Sequence, residues 1–362
     1  AWKNGSMSPH DDAYDAVGSL AFFLAHGTMP WYASGKNLAQ VESEALGISP
    51  AGALGTQLRP LIFSDAAARE RAVFQLSDAM LTALFGGPAF QFLKAWTLRY
   101  GAPPEVERPR VIFWKAVVDA DSRHPSSAWL AGSWALGSYA RQHTEEEREP
   151  LYYNLPDRVR TRLQAALSAT PGDPTAAAEE KAPPQRNGEG VHPAHIFIEN
   201  AGLVILHPFL EPFFERIGLW RAPRFVSAAA QRRAVLLTQY MVSPEDKIQE
   251  YTLSLNKLLC GYPGEQTLEN RIIVTAEEKT EITDLLRTVT GQWKMRGVAV
   301  CTTEQHLREA FLQRPGKLSR DARGWTLQVE VKSYDVVMNG LPWGISRIFC
   351  PWMEGMLRVE WS

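Results

Sequence analysis

Apolar and polar residues alternate one by one over Trp325–Val331, near the end of this 362-residue chain. A period of two is the pattern of a half-buried β-strand. Residues 345–349 and 357–361 are two further strand candidates. The prolines of this region fall between these runs, where a missing amide donor costs a sheet no hydrogen bond. The pattern therefore predicts a small antiparallel β element of three strands at the C-terminal end.

The front half of the chain is predicted to be helical. Residues 12–26 and 64–85 carry apolar side chains at helical spacing, and each run ends at a glycine-containing turn. Residues 89–100 and 109–120 continue the helical pattern. Thr144 opens a capping box with the glutamate three residues later, because the two side chains can each bind a free amide at a helix start.

The rear half repeats this helical pattern before the strands begin. Helices are predicted over residues 200–217, with breaks near its two prolines, over 227–240 and over 303–312. A second capping box begins the run 275–295, whose apolar residues share one face. Ser243-Pro244-Glu245-Asp246 predicts a further helix start, because it combines a serine cap, a proline at the first position and an acid in the first turn.

A change of composition separates the two helical halves. Residues 168–193 contain five prolines, three glycines and no large apolar side chain except Val191. Such a segment buries too little apolar surface to offset the entropy lost on ordering, so it is predicted to be a flexible linker; an ordered surface loop is the alternative. The predicted fold is mainly α with a small C-terminal antiparallel β element (α+β). It comprises a helical half at 1–167, the linker, and a helical half at 194–362 that ends in the sheet.

Composition places the chain among globular proteins and disfavours two kinds of partner. Hydrophobic residues make up 45% and charged residues 22% of the sequence, which is enough apolar material for a core. The net charge of −2 gives no bulk attraction to nucleic acid or to an anionic membrane. The best apolar run, Ala201–Leu210, is interrupted by His207 and Pro208 and is shorter than the roughly 18 residues of a membrane span. We therefore expect neither a nucleic-acid partner nor direct membrane insertion.

No residue pattern predicts a metal, a cofactor or catalysis. His192, His195 and His207 match no zinc-ligand spacing. Residues 131–135 (AGSWA) have alanine where a nucleophile elbow needs glycine. The three cysteines lie far apart, at Cys260, Cys301 and Cys350. They form no CxxC pair, so we expect reduced, partly buried thiols in a cytosolic product. The sequence thus predicts that the protein is not an enzyme and has no cofactor.

Tryptophan is concentrated in the last sixth of the chain, at Trp325, Trp343, Trp352 and Trp361. Trp343 and Trp352 each follow a proline, which places a flat ring on a stiff backbone. Core packing is one interpretation of these rings, and stacking on a carbohydrate or nucleobase is a second. A protein interface is the third, because Trp, Met and Arg are enriched in interface anchors. The predicted interface residues are Trp343, Trp352, Trp31, Met353 and Arg347.

Four segments carry a resemblance to a known family. They are Gly27–Tyr32 (GTMPWY), Asn200–Leu210 (NAGLVILHPFL), Leu255–Gly261 (LNKLLCG) and Leu307–Trp361. The last three resemble the tape measure proteins of contractile injection systems, the phage-tail-like particles that bacteria build and fire. The first resembles the GTLPWW element of the same family. The resemblance covers nearly all of residues 195–362, whereas residues 33–190 match more loosely.

The resemblance implies a structural role in building the tail rather than chemistry. The protein would set tail or tube length, or its globular end would sit at the baseplate or hub. The 24 prolines argue against one long helix and favour the globular end. An adaptor that retains cargo in the tube lumen and a wall-degrading enzyme at the particle tip are the alternatives.

The resemblance also implies partners and a location. The expected partners are tube proteins, baseplate or hub proteins, cargo effectors and further copies of this chain. The protein would be cytoplasmic during assembly and then part of a particle that can be extracellular.

We expect limited proteolysis of the full chain to cut first within residues 168–193, because this segment lacks core-forming side chains and is rich in proline and glycine. Two folded fragments should accumulate, and mass spectrometry of the fragments locates the cut. Protection of this stretch, with first cleavage elsewhere, would contradict the division into two halves.

Overall fold

The chain folds into two units. The computed structural model describes residues 9–33, 35–48, 51–85, 107–121, 132, 135, 195–321 and 324–361. The first unit comprises residues 1–25 and 37–190, and the second comprises residues 26–36 and 191–362. The predicted linker at 168–193, the predicted helix at 89–100 and the capping box at Thr144 lie outside the described residues.

The described part of the first unit is helical. Its helices are α1 (Pro9–His26), α2 (Leu38–Ile48), α3 (Ala51–Ser64), α4 (Ala66–Gln75), α5 (Asp78–Phe85) and α6 (Glu107–Asp121). Apolar side chains from all six helices are buried, among them Leu20, Val41, Leu58, Ala72, Leu81 and Trp114. These helices confirm the helical pattern of residues 12–26 and 109–120.

The run 64–85 forms two helices where the sequence pattern predicted one. The Asp65 side chain accepts hydrogen bonds from the amides of Ala67 and Ala68 and so starts α4. The Ser77 hydroxyl accepts from the Met80 amide at 3.2 Å and caps α5. Polar side chains that bind nearby amides end one helix and begin the next, even where the apolar spacing continues across the break.

The second unit combines short helices with a sheet. Its helices are α7 (His207–Arg216), α8 (Ala228–Val242), α9 (Ser254–Leu259), α10 (Ala276–Gln292) and α11 (Glu304–Leu307). A π-helical turn follows α11 at Arg308–Leu312, and 3-10 helices lie at Trp31–Ala33, Ala201–Leu206, Glu250–Thr252 and Asp335–Gly340. The strands are β1 (His195–Ile198), β2 (Trp220–Arg221), β3 (Arg224–Phe225), β4 (Lys294–Met295), β5 (Val298–Ala299), β6 (Gly316–Asp321), β7 (Gly324–Val329), β8 (Arg347–Ile348) and β9 (Leu357–Glu360).

The main sheet has five strands in the order β1-β6-β7-β9-β8. The mainly α fold with a small, mostly antiparallel C-terminal sheet is confirmed, and the three predicted strands appear as β7, β8 and β9. The predicted number of three strands is wrong, because β1 and β6 also join the sheet. Leu318 is the fully buried side chain of β6, so that strand shows almost no alternation in the sequence and depends on its pairing with β7.

One strand pair of the sheet is parallel. β7 and β9 run in the same direction, with Leu327 opposite Val359, while the other pairs are antiparallel. The chain between them includes a 3-10 helix and β8 and is long enough for the crossover that a parallel pair needs. The side chains of one sheet face are buried; they include Ile196, Leu318, Leu327, Val329, Leu357 and Val359.

The predicted helix start at Ser243–Asp246 is wrong. The amide of Ile248 donates to the Asn270 carbonyl, and the amide of Ile272 donates to the Asp246 carbonyl, both at 2.8 Å. The backbone of this segment therefore pairs with a distant stretch of chain instead of forming a helical turn. Local capping signals lose to tertiary hydrogen bonding here.

The other rear helices differ from their predictions mainly at their ends. The capping box is confirmed: the Thr275 hydroxyl accepts from the Glu278 amide at 3.2 Å, and the Glu278 carboxylate accepts from the Thr275 amide at 2.8 Å. The helix ends at Gln292, because the chain then enters β4. Pro212 lies inside α7 and does not break it.

Gly202 is required by a close approach of two backbones. A Cβ atom at this position would lie 1.7 Å from the carbonyl oxygen of Phe311 in the π-helical turn. We expect Gly202→Ala to lower the free energy of unfolding by at least about 3 kcal/mol, because backbone atoms have to move apart. Chemical denaturation of the full chain, monitored by tryptophan fluorescence, measures the free energy of unfolding.

Gly291→Ala is the matched control for this substitution. Gly291 lies near the end of α10, and no atom is within 4 Å of an added Cβ. This change should stabilise the protein by about 0.5–1 kcal/mol, since alanine is favoured over glycine in a helix. Equal effects of the two substitutions would contradict the close backbone contact at Gly202.

Candidate interaction surface

The four segments that carry the family resemblance lie together in the second unit. Residues 27–32 belong to this unit although they come from the front of the chain. The 3-10 helix Trp31–Ala33 contacts β1, the first strand of the rear half. The segments that resemble the family therefore belong to one folded unit and are not spaced along an extended chain.

Two asparagines join the second and third of these segments. Asn200 donates through Nδ2 to Asn256 Oδ1 at 2.6 Å and to Gln239 Oε1 at 2.9 Å. Asn256 donates to the Thr238 hydroxyl at 3.0 Å. Asn200 and Asn256 are almost fully buried. A buried network of this kind favours one packing arrangement, because losing it would leave several buried donors and acceptors without partners.

Lys257 of the LNKLLCG segment is buried, and its ammonium group makes three hydrogen bonds. Its ammonium donates to Glu250 Oε1 at 2.7 Å, to the Gly264 carbonyl at 2.9 Å and to the Gln266 carbonyl at 2.7 Å. These bonds use all three N–H groups of the ammonium. The side chain of Lys257 is 4% exposed and that of Glu250 is 0% exposed. Lys257 therefore fixes the following turn and is not free to act as a base or a nucleophile.

Trp352 attaches the C-terminal segment to the LNKLLCG segment. Its indole N–H donates to the Leu259 carbonyl at 2.6 Å. Its ring centroid lies 4.7 Å from that of Trp220 and 5.2 Å from that of Phe225. Gly261, with φ of +59°, gives the space for this contact, since a Cβ there would lie 2.2 Å from the Trp352 carbonyl oxygen. The ring is half-buried, so most of its contacts are internal.

Trp343 makes the same kind of attachment to the NAGLVILHPFL segment. Its indole N–H donates to the Ile205 carbonyl at 2.9 Å, and its ring meets the ring of Phe209 edge-on at a centroid distance of 5.0 Å. Met353 is 6% exposed and its sulfur accepts from the Cys350 amide at 3.3 Å.

The predicted interface residues thus do not share one environment. Trp343, Trp352 and Met353 are brought together with the family segments as packing groups, while Arg347 is exposed on β8. Trp31 is the first residue of a 3-10 helix, and its side chain lies outside the described structure. Their role as an interface stays a prediction.

The sequence of the chain matches one known protein family over nearly its whole length. A family model described as contractile injection system tape measure protein matches residues 3–361. The chain belongs to this family. No curated protein and no solved structure matches it. The resemblance that the rear half carries therefore extends through the front half, where the sequence pattern matched more loosely.

A buried arginine in this tape measure protein was missed by sequence reasoning. Arg314 is 0% exposed and binds both carboxylate oxygens of Asp335, at 2.8 and 3.0 Å. Trp361 also donates to Asp335, at 3.0 Å, and the Arg314 guanidinium lies 5.5 Å from the Trp361 ring centroid. The signal in the sequence was an arginine between an apolar helix and Pro315.

Hydrogen bonds keep Asp335 ionised in spite of its burial. Burial raises the pKa of this carboxyl, but the hydrogen bonds from Arg314, from the Lys332 amide and from Trp361 outweigh it. The net result is a pKa below the ordinary value of 3.8. Asp335 therefore connects Trp361 to Arg314, which follows the π-helical turn.

The thiols of this tape measure protein are free and buried. Burial raises the pKa of Cys301 to about 11 and that of Cys350 to about 12, and it also raises the pKa of Cys260. At neutral pH these groups are neutral thiols. They are poor nucleophiles, because the thiolate is the reactive form.

The histidines considered as metal ligands in the sequence have different environments. His195 is exposed on β1, whereas His207 begins α7 with its Nδ1 2.9 Å from the Val204 carbonyl oxygen; His192 lies outside the described residues. Burial lowers the pKa of His207. Within the described parts of the chain, no three His, Cys, Asp or Glu side chains could hold a metal ion.

The described helices are too short or too polar to span a bilayer.

The Arg314–Asp335 pair predicts a specific acid response. The folded pKa of Asp335 is lowered, so its contribution to stability is complete above the ordinary value of 3.8 and is lost as the pH falls through the folded value. Asp335→Asn should cost about 3–5 kcal/mol at neutral pH, because Arg314 is left buried without an anion. The acid-induced loss of stability should also become shallower in the variant.

Denaturation of the full chain at a series of pH values tests this. Asp284→Asn is the control, because Asp284 pairs with Arg287 only at the surface, at 4.0 Å, and its loss should change stability by less than about 0.5 kcal/mol. An Asp335→Asn variant as stable as wild type at neutral pH would show that the pair is not stabilising.

Proposed function

We propose that the second unit is the folded end of this tape measure protein, that it is held at the baseplate or hub of the injection particle, and that it acts by binding rather than by turnover. One observation carries the proposal: the segments shared with the family pack into a single body. Contacts between distant segments define that body, so it cannot be drawn out along a tube without losing its core.

The dimensions of the second unit support a folded end over an extended ruler. Its longest described helix, α10, has 17 residues, which corresponds to roughly 26 Å at about 1.5 Å per residue. The helices around it are shorter and are joined by hairpins and turns. Length control therefore has to come from residues outside this unit, or from the way in which the unit is anchored.

The engagement of the reactive side chains supports binding over catalysis. Lys257 and Glu250 neutralise each other, as do Arg314 and Asp335. Glu278 is bound by Arg233 at 2.8 Å. A hydrolase at the particle tip would need two carboxylates that converge on an open cleft. In the described second unit, Glu250, Asp335 and Glu278 are committed to ion pairs and are not free to serve in this way.

The proposed partners follow from this role. The second unit would bind baseplate or hub proteins, the tube would begin next to it, and several copies of the chain would be present in one particle. Assembly would take place in the cytoplasm, and the protein would then leave as part of the particle.

Fractionation of purified particles tests the position of the protein. The full chain should be found with the baseplate-containing end after shearing, and an antibody against it should label one end of the particle in electron micrographs. An antibody against the tube protein is the control and should detect both fractions. Label spread along the tube lumen, or release together with cargo, would favour the cargo adaptor instead.

A further inference from the structure

The hairpin between α7 and α8 presents two arginines on its outer face. The two strands are β2 and β3, and the two-residue loop Ala222-Pro223 joins them. Trp220 is opposite Phe225 and Arg221 is opposite Arg224. Residues directly opposite each other in an antiparallel pair lie on the same face, with Cβ atoms about 5 Å apart.

The inner face of the hairpin is fixed by aromatic packing. Trp220 is 3% exposed and Phe225 is 9% exposed, and both rings contact Trp352. The Val226 amide donates to the Leu219 carbonyl at 3.0 Å and closes the base of the hairpin. The backbone that carries the two arginines is therefore held in place without any help from their side chains.

The outer face has no internal counter-charge. Both arginines are exposed. Among the described residues, no carboxylate lies within ion-pair distance of either guanidinium. Residues 216–244 hold five arginines and no acidic residue, in a chain whose net charge is −2. Two of the five are neutralised from α10, Arg216 by Glu281 at 2.9 Å and Arg233 by Glu278 at 2.8 Å.

In the isolated protein the guanidinium groups of Arg221 and Arg224 repel each other. Like charges directly opposite each other on a strand pair are destabilising, and the same unit neutralises other arginines close by. A partner that supplies two carboxylates would remove this repulsion. Each guanidinium can bind a carboxylate through two parallel N–H bonds, and a fixed backbone reduces the entropy lost on docking.

We propose that Arg221 and Arg224 form a docking point for an acidic segment of a neighbouring protein in the particle. The inference rests on the proposed function, because it names the surface by which the folded end is held. An acidic protein segment fits better than nucleic acid, since tight binding to a phosphate backbone takes a longer basic surface. A membrane is also a poorer fit, because recognition of anionic lipid takes clusters of about 4–8 basic residues.

The test replaces both arginines by glutamate in the full chain, as R221E/R224E. The matched control is K294E/R296E on the β4–β5 hairpin, which lies in the same unit, is equally short and has its two basic residues exposed. Both variants change the net charge by the same amount. Thermal unfolding should be close to wild type for both, because the altered side chains are exposed.

Recovery of the chain in the baseplate-containing fraction is the first readout. We expect R221E/R224E to be recovered at least about tenfold less than wild type, R221K/R224K to be recovered at an intermediate level, and K294E/R296E to match wild type. Equal recovery of R221E/R224E and wild type would overturn the docking point alone. Absence of the wild-type chain from that fraction would instead refute the proposed function.

Direct binding is the second readout and separates the ligand classes. The full chain should bind a fluorescein-labelled oligoglutamate peptide, with affinity that falls at high salt and falls about tenfold or more in R221E/R224E but not in K294E/R296E. Tighter binding of single-stranded DNA through the same two arginines would overturn an acidic protein partner.

Discussion

The second unit depends on tryptophan side chains that tie together segments far apart in the sequence. Trp343 donates its indole N–H to a carbonyl 138 residues away, Trp352 to one 93 residues away and Trp293 to one 44 residues away. Each ring combines a large buried apolar area with one polar bond. A body closed in this way folds as a whole, because its C-terminal segment supplies the contacts that complete the earlier segments.

Buried charge adds specificity to this packing. Lys257 and Arg314 are both removed from water, and carboxylates and carbonyl oxygens satisfy most of their donors. Such pairs add less net stability than apolar packing, but breaking one of them is costly. They therefore disfavour alternative arrangements of the turn after Lys257 and of the segment around Asp335.

Buried and exposed side chains have different roles in the second unit. The prolines beside Trp343 and Trp352 stiffen the backbone for internal packing, so replacing these rings would disturb the fold as well as the surface. Exposed groups on elements that the rings hold in place are better positioned to meet a partner. The arginines of the β2–β3 hairpin are of this kind, since Trp352 contacts the buried side of the same two strands.

The sequence by itself determined the features that short-range physics controls. The capping box at Thr275, the helical spacing of residues 12–26 and the alternation over Trp325–Val331 depend on neighbouring residues only, and the family segments are long ordered motifs. Tertiary structure decided the rest. β1 and the segment after Ser243 take their form from distant hydrogen-bond partners. The indole N–H groups of Trp293, Trp343 and Trp352 likewise bind carbonyl oxygens far away in the chain. Local patterns contain no information about such partners, because the partners come together only when the chain folds.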